Sequence, residues 1–593
     1  MRRFVLGLFT AFGIVAALTM IGIGAAIWYV AASRPGLPST IVLTADLNGG
    51  LSAGASQEPL SELVFGDKQT LRDFLDALDR AGNDARVKAL YVRVGADTLG
   101  LATCQEVRDA VRDFRAKGKF AIAFSESFGE FGPGTRPYYL ATAFDEIWLQ
   151  PLGAVGLIGL HTEIPFIRGA LDRLGIQPSF AHREQYKSAM NSLTETAMTA
   201  PQREEIEALL SATSGQIVRG IALSRQLTEA QVGGLIDRGP FFAEEAREAR
   251  LIDRIGYRDE AVARARERAG SGAELMSLSR YLDGAGRPHD SGPKIALIYG
   301  TGMVTQGSGK DSLFGGATEL SARKVARAFR QASADSEVRA ILFRVDSPGG
   351  SAVASETIWR EVARARGRGK PVIVSMGNVA GSGGYYIAAP ADKIVAEPAT
   401  LTGSIGVVAG KLVVAGLLDK LGVTGDSAQR GANAMMFSGF QDFSPAGRAR
   451  LEAFLDAIYR GFKERVAAGR NLSADQVEAV AKGRVWSGEE AKEKGLVDAL
   501  GGYAVALRLA KEAANIPADS EFELAVFPRT KSAMELLYDR LVDNDPDDDD
   551  DSSTGATTGA QAIAANLARV VASIEILTGN PGVLHMPSIG EIR

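Results

Sequence analysis

The sequence has one cysteine, Cys104, and four histidines, His161, His182, His289 and His585. A single thiol cannot build an intramolecular disulfide framework or a cysteine-based zinc cluster. So few imidazoles leave little room for a multi-histidine metal site, and no metal or cofactor is expected. A charge excess of one sign is also missing: 66 Lys+Arg stand against 71 Asp+Glu, a net charge of −5. A nucleic-acid binder presents a basic face, so nucleic acid is not an expected partner. The polar bias of a disordered chain is missing too. At 46% hydrophobic and 23% charged, the 593 residues have the make-up of globular domains.

Arg2 and Arg3 precede Phe4–Ser33, a run without a charged side chain that carries Trp28 and Tyr29 near its far end. About twenty apolar residues cross a bilayer as a helix, and aromatic rings favour the interface. The run therefore reads as a transmembrane anchor behind a cytoplasmic stub of residues 1–3, with Pro35 onward outside. A cleaved signal peptide is the alternative, although its apolar region is normally only about 7–15 residues. At the other end, Asp543–Asp551 reads DNDPDDDDD and is followed by SSTGATTG. Self-repelling charge without apolar residues predicts a disordered linker within an acidic tail, 540–593. A calcium loop is the rival, but the glycine and spaced ligands of such a loop are missing. Residues 562–577 have the pattern of a short amphipathic helix. The tail lies beyond the rest of the protein's plan and reads as dispensable for its chemistry.

Between these ends the sequence is written twice. Val87–Val94 (VKALYVRV) aligns with Val338–Val345 (VRAILFRV) at an offset of 251. Tyr138-Tyr139, Asp145, Pro151 and Gly156 align with Tyr385-Tyr386, Asp392, Pro398 and Gly403 at 247. Leu251-Ile-Asp253 aligns with Leu496-Val-Asp498 at 245. A period this long fits two fused domains, 39–285 and 290–535, rather than a solenoid. Short apolar runs (Ile295–Tyr299, Ala340–Val345, Pro371–Ser375) alternate with helical patterns (Ser321–Ala332, Ala354–Arg366). That alternation predicts an α/β fold with largely parallel sheets.

The second copy carries Asp346-Ser-Pro-Gly-Gly-Ser351 and Ala380-Gly-Ser-Gly-Gly-Tyr385, each after a predicted strand. Glycine pairs bring backbone N–H groups close to a bound group, and two such amides make an oxyanion hole. Ser382 sits in a turn that loosely resembles a nucleophile elbow, with Ala380 in place of the upstream glycine. The first copy has Thr135 at the position of Ser382, and Thr98 and Leu99 in place of the glycine pair. It has Lys187 where the second copy has Ala434. Complementary loss points to one site shared between two copies. Serine needs a base, and a desolvated neutral lysine can serve. His182 remains the rival base.

These motifs, with Leu401-Thr-Gly-Ser-Ile-Gly406 and Gln185-Tyr-Lys-Ser188, resemble the long form of the signal peptide peptidase A family, membrane-anchored Ser–Lys proteases. The resemblance spans the chain from the anchor to about 535. It implies tandem domains of the Clp-protease and crotonase type, built of stacked ββα units. It also implies Ser382 as nucleophile, Lys187 as general base, and the amides of Gly350 and Gly383 as the oxyanion hole. The implied enzyme is a homotetramer on the outer, periplasmic face of the cytoplasmic membrane that degrades cleaved signal peptides and other hydrophobic peptides. Many relatives carry asparagine where this chain has Asp346. Two other functional classes stand beside this one: a crotonase-like binder of acyl thioesters, and an inactive membrane scaffold.

Overall fold

The computed structural model describes residues 22, 36–52, 54, 69–307, 319–528 and 583–586. Apart from Gly22, the expected anchor Phe4–Ser33 lies outside the described residues, as do the acidic run and the 562–577 helix. Among the described residues no helix is long and apolar enough to cross a membrane.

The duplication folds into two sheets of matching order. In the first copy the strands run Arg254–Ile255, Glu146–Leu149, Phe120–Ser125, Val87–Arg93, Ile41–Asp46, Glu274–Ser277, all parallel. In the second, Ala499–Leu500, Lys393–Ala396, Val372–Gly381, Val338–Ser347, Lys294–Thr301 and Glu523–Phe527 take the same places. Helices cover these sheets, which is why the central strands are apolar almost throughout. Repeated residues do repeated work. Tyr138 donates its hydroxyl hydrogen to the Leu251 carbonyl, and Tyr385 to that of Leu496. Lys119 caps the carbonyls of Asp84 and Val87, and Lys370 those of Asp335 and Val338. The helices Ala200–Arg225 and Pro445–Arg470 are capped by Thr199 and Ser444, each with proline in the first turn.

A third sheet ties the copies together. Its order is Glu319–Ser321, Met303–Thr305, Gly349–Ser351, Val583–His585, Val408–Val413, Gln177–His182. Gln177–His182 belongs to the first copy and lies antiparallel to Val408–Val413 of the second, from Val408 opposite His182 to Val413 opposite Gln177. Four residues of the acidic tail, Val583–Met586, are thus ordered against the domains, the first three as a strand.

Elsewhere the copies are locked by a buried ion pair. Arg344 donates to both Glu106 oxygens, at 3.1 and 2.7 Å, and both side chains are 4% exposed. Ser375 Oγ accepts from Arg344, and Glu106 accepts from the Tyr503 N–H. Removing one partner leaves the other charge buried and alone. Glu106→Ala should therefore lower the resistance of the folded chain to urea by about 3–5 kcal/mol, a loss read from the denaturation midpoint.

Candidate active site

Ser382 sits where the ten-residue strand Val372–Gly381 hands over to the short helix Gly383–Ala388. The strand's last residues, Val379–Gly381, pair with Leu401–Gly403, and the Ser382 N–H donates to the Gly403 carbonyl at 2.8 Å. The Val379 N–H also donates to Asp346 Oδ1 at 3.1 Å, so Asp346 braces the strand that leads to the serine. Held this way, Ser382 adopts φ 53° and ψ −114°, a conformation rarely tolerated by a residue with a Cβ. The side chain makes no capping bond to the helix that follows.

Lys187 reaches this point from the other copy. Strand Gln177–His182 delivers the chain onto the second copy, where the Arg183 N–H bonds the Val407 carbonyl and the Tyr186 N–H that of Lys482. A Cβ on Gly483, which has φ +80°, would stand 2.6 Å from the Lys187 nitrogen, and one on Gly406 3.1 Å from Lys187 Cδ. Two glycines thus admit the lysine backbone and stem. Lys187 Nζ lies 2.9 Å from Ser382 Oγ, 2.9 Å from Ser404 Oγ and 3.1 Å from the Ser404 carbonyl. A neutral amine has two N–H groups and one lone pair. In that form the two donors can both serve Ser404, which leaves the lone pair for the Ser382 hydroxyl. Lys187 is 1% exposed. Burial pulls its ammonium down to about 7, against a smaller opposing pull from Glu205. Glu205 is itself buried, accepts from the Val485 N–H at 2.6 Å, and is pushed up to about 8 by desolvation.

Gly350 and Gly383 also converge. A Cβ on Gly383 would lie 3.1 Å from the Gly350 nitrogen, so the amide-bearing backbones are adjacent. A Cβ on Gly350 would collide with the Val304 carbonyl, which restricts that position to glycine. The remaining sequence candidates lie apart. Thr135 gives its hydroxyl hydrogen to the Gly159 carbonyl at 2.9 Å. Ala434 is exposed, and so is His161. His182 is exposed, and its Nδ1 meets the Glu184 carbonyl at 2.9 Å. Ser404 and Glu205 are the residues that sequence reasoning missed. Ser404 lay within a quoted motif, but nothing in the sequence marks its φ of +50° or its turn toward the lysine. Among the described residues no group of three or more His, Cys, Asp or Glu is set to hold a metal ion.

A buried amine against a strained, glycine-flanked serine, shared by tandem α/β domains, is the chemistry of a serine peptidase. The family model of peptidase family S49 matches residues 132–271 and 364–517, one segment in each copy. "Serine protease SPPA, chloroplastic" of Arabidopsis thaliana is 30% identical over 504 residues, which cover 83% of this chain and 72% of that protein. "Protease 4" of Salmonella typhi is 31% identical over 503 residues, covering 82% and 78%. Among solved structures, ClpP1 from Listeria monocytogenes aligns with 36% of this chain and 94% of its own, at 16% identity and a TM-score of 0.23. The chain belongs to peptidase family S49 and is a serine peptidase.

Gly483 tests how closely the lysine must be held. Gly483→Ala forces the Lys187 backbone to shift, and misplacement by about 1 Å costs roughly 10²-fold in rate. Steady-state kinetics should show that loss in kcat/KM, beyond the modest drop in melting temperature that a side chain at positive φ brings.

Proposed function

We propose that the protein is a membrane-bound endopeptidase with a Ser–Lys dyad divided between its two domains. The observation that carries this reading is the 2.9 Å contact between Ser382 Oγ and a fully buried Lys187 Nζ. Neutral Lys187 takes the hydroxyl proton as Ser382 Oγ attacks the substrate carbonyl. The carbonyl oxygen becomes an oxyanion and rests on the N–H groups of Gly350 and Gly383, where each such donor contributes about 10²–10³ in rate. The ammonium of Lys187 returns its proton to the leaving amine as the peptide bond breaks. Water, deprotonated by the same lysine, then attacks the acyl ester, and Ser382 recovers its proton on release of the acid. Ser404 keeps the amine aimed through both steps.

Apolar side chains beside Ser382 favour hydrophobic peptides. Ile206 and Leu209 of the first copy and Val485 of the second form a buried cluster next to the strand that ends at Gly381. Cleaved signal peptides have apolar cores and suit such an apolar surface. The charge-free run Phe4–Ser33 supports a single-pass anchor in the cytoplasmic membrane, with the N-terminus inside and the catalytic domains in the periplasm. The name "putative signal peptide peptidase SppA", carried by a relative from Enterococcus faecium, fits the same reading. The two matched sheets support Clp-protease and crotonase-like domains of stacked ββα units, and a homotetramer remains the expectation that the resemblance carries.

Residues acting as one unit are not additive. Ser382→Ala and Lys187→Ala should each lower kcat/KM by at least about 10³-fold, and the double variant by little more. Only neutral lysine accepts the proton, so kcat/KM of the unaltered enzyme should rise with pH through about 7 and fall below it. Full activity of Lys187→Ala would remove the dyad. A serine-directed covalent probe should label Ser382, which neither an acyl-thioester binder nor an inactive scaffold requires.

Topology has its own measurement. Protease added to spheroplasts should digest both domains, and their complete protection behind an intact membrane would place them in the cytoplasm.

A further inference from the structure

The third sheet contains a strand that the chemistry does not require. Val583–His585 runs antiparallel to Gly349–Ser351, with His585 opposite Gly349, Leu584 opposite Gly350 and Val583 opposite Ser351. On the other edge Val583 stands opposite Val408. The Met586 N–H then donates to the Pro348 carbonyl at 2.8 Å. The Met586 side chain is buried in the cluster of Ile206, Leu209 and Val485. A Cβ on Gly381, the residue before Ser382, would stand 2.5 Å from Met586 Sδ. The segment therefore joins two strands that are otherwise unconnected, pairs along the strand that holds Gly350, and fills the apolar pocket beside the nucleophile. Main-chain pairing with one anchored side chain is how an extended peptide is bound.

We propose that Val583–Met586 is an internal pseudosubstrate, which occupies the peptide-binding cleft and must be displaced by substrate. The sequence after Met586 suits occupancy rather than turnover. Pro587 restricts Met586, the residue after the strand, to extended backbone, which continues the strand's direction. It also makes the bond beyond Met586 a tertiary amide, whose nitrogen lies in a ring and bears no hydrogen. The tail is tethered to its own cleft through residues 529–582, so it competes at an effective concentration that a free peptide of the same affinity would not reach. The tail read from sequence as dispensable is then a brake on the enzyme, without being part of its catalytic machinery.

The inference rests on the Ser382–Lys187 reading only in taking this cleft as the substrate site, and two readouts separate the two. The first compares full-length enzyme with full-length Met586→Asp on an apolar chromogenic peptide. A carboxylate is not retained in an apolar pocket. If the tail fills the cleft two-thirds of the time, its release lowers apparent KM about threefold. The expected result is that fall in KM with kcat unchanged, while Met586→Leu keeps the original KM. The second readout needs no activity: in a Ser382→Ala background, hydrogen exchange at the amides of 583–586 should be protected, and Met586→Asp should abolish the protection. An unchanged KM for Met586→Asp, unprotected tail amides, or an intact mass showing the chain cut after Met586 would overturn the proposal. Peptidase inactivity of every form, with the tail amides still protected, would overturn the dyad and leave the pseudosubstrate standing.

Discussion

The proposed dyad depends on keeping one amine dry. Lysine ordinarily holds its proton to about pH 10.4, so it becomes a base near neutrality only where water cannot stabilise the ammonium. No single copy of the domain supplies enough wall for that. The first copy contributes the lysine and the turn around it; the second contributes Gly406, Gly483 and Ser404. What brings the two halves together is backbone pairing between Gln177–His182 and Val408–Val413. Glu205 shows how delicate the balance is. A carboxylate there would hold the proton on Lys187, yet burial raises Glu205 as it lowers the lysine. Near neutral pH the carboxyl and the amine both approach their uncharged forms, and the same dehydration produces both shifts.

Much of this was legible in the sequence because duplication supplies its own control. Residues such as Asp145 and Asp392 recur because each fastens the same sheet position: Asp145 accepts from the Ala121 N–H, Asp392 from that of Val372. A position that keeps its partner across both copies is structural. A position that loses it in only one copy, as Ser382 and Lys187 do, has been released from the fold's demands and answers to something else. The parallel sheets were legible for a different reason. Strands covered on both faces must be apolar throughout, and Val338–Val345 and Val372–Val374 are nearly so.

The rest was hidden because it depends on backbone angles and distant contacts. Leu401–Gly406 is visibly a motif, but only the turn at Ser404 shows that its carbonyl and hydroxyl receive the lysine. Glu205 is one carboxylate on a long helix of mixed composition, and its hydrogen-bond donor, the Val485 N–H, comes from the other copy. The tail strand follows a highly charged linker, and composition averaged over the tail conceals four residues that fit between two strands. Local patterns report which element forms; they do not report which edge it meets.

The direction of the sharing follows from the order of the copies. The first copy's turn after Gln177–His182 has a second copy ahead of it to pair with, and the pairing buries Lys187. The corresponding stretch of the second copy, around Ala434, lies exposed in the single chain. A lysine there would be hydrated and protonated, a poor base whatever its distance from a serine. The serine faces the converse demand. It needs the long strand Val372–Gly381 running into the pairing with Leu401–Gly403, together with the glycine pair at 349 and 350. In the first copy the equivalent strand ends at Ser125, and Thr135 is occupied by the Gly159 carbonyl. In the proposed dyad the base therefore comes from the leading copy and the nucleophile from the trailing one: within the chain, the trailing copy covers the Lys187 turn and the Ala434 stretch stays exposed.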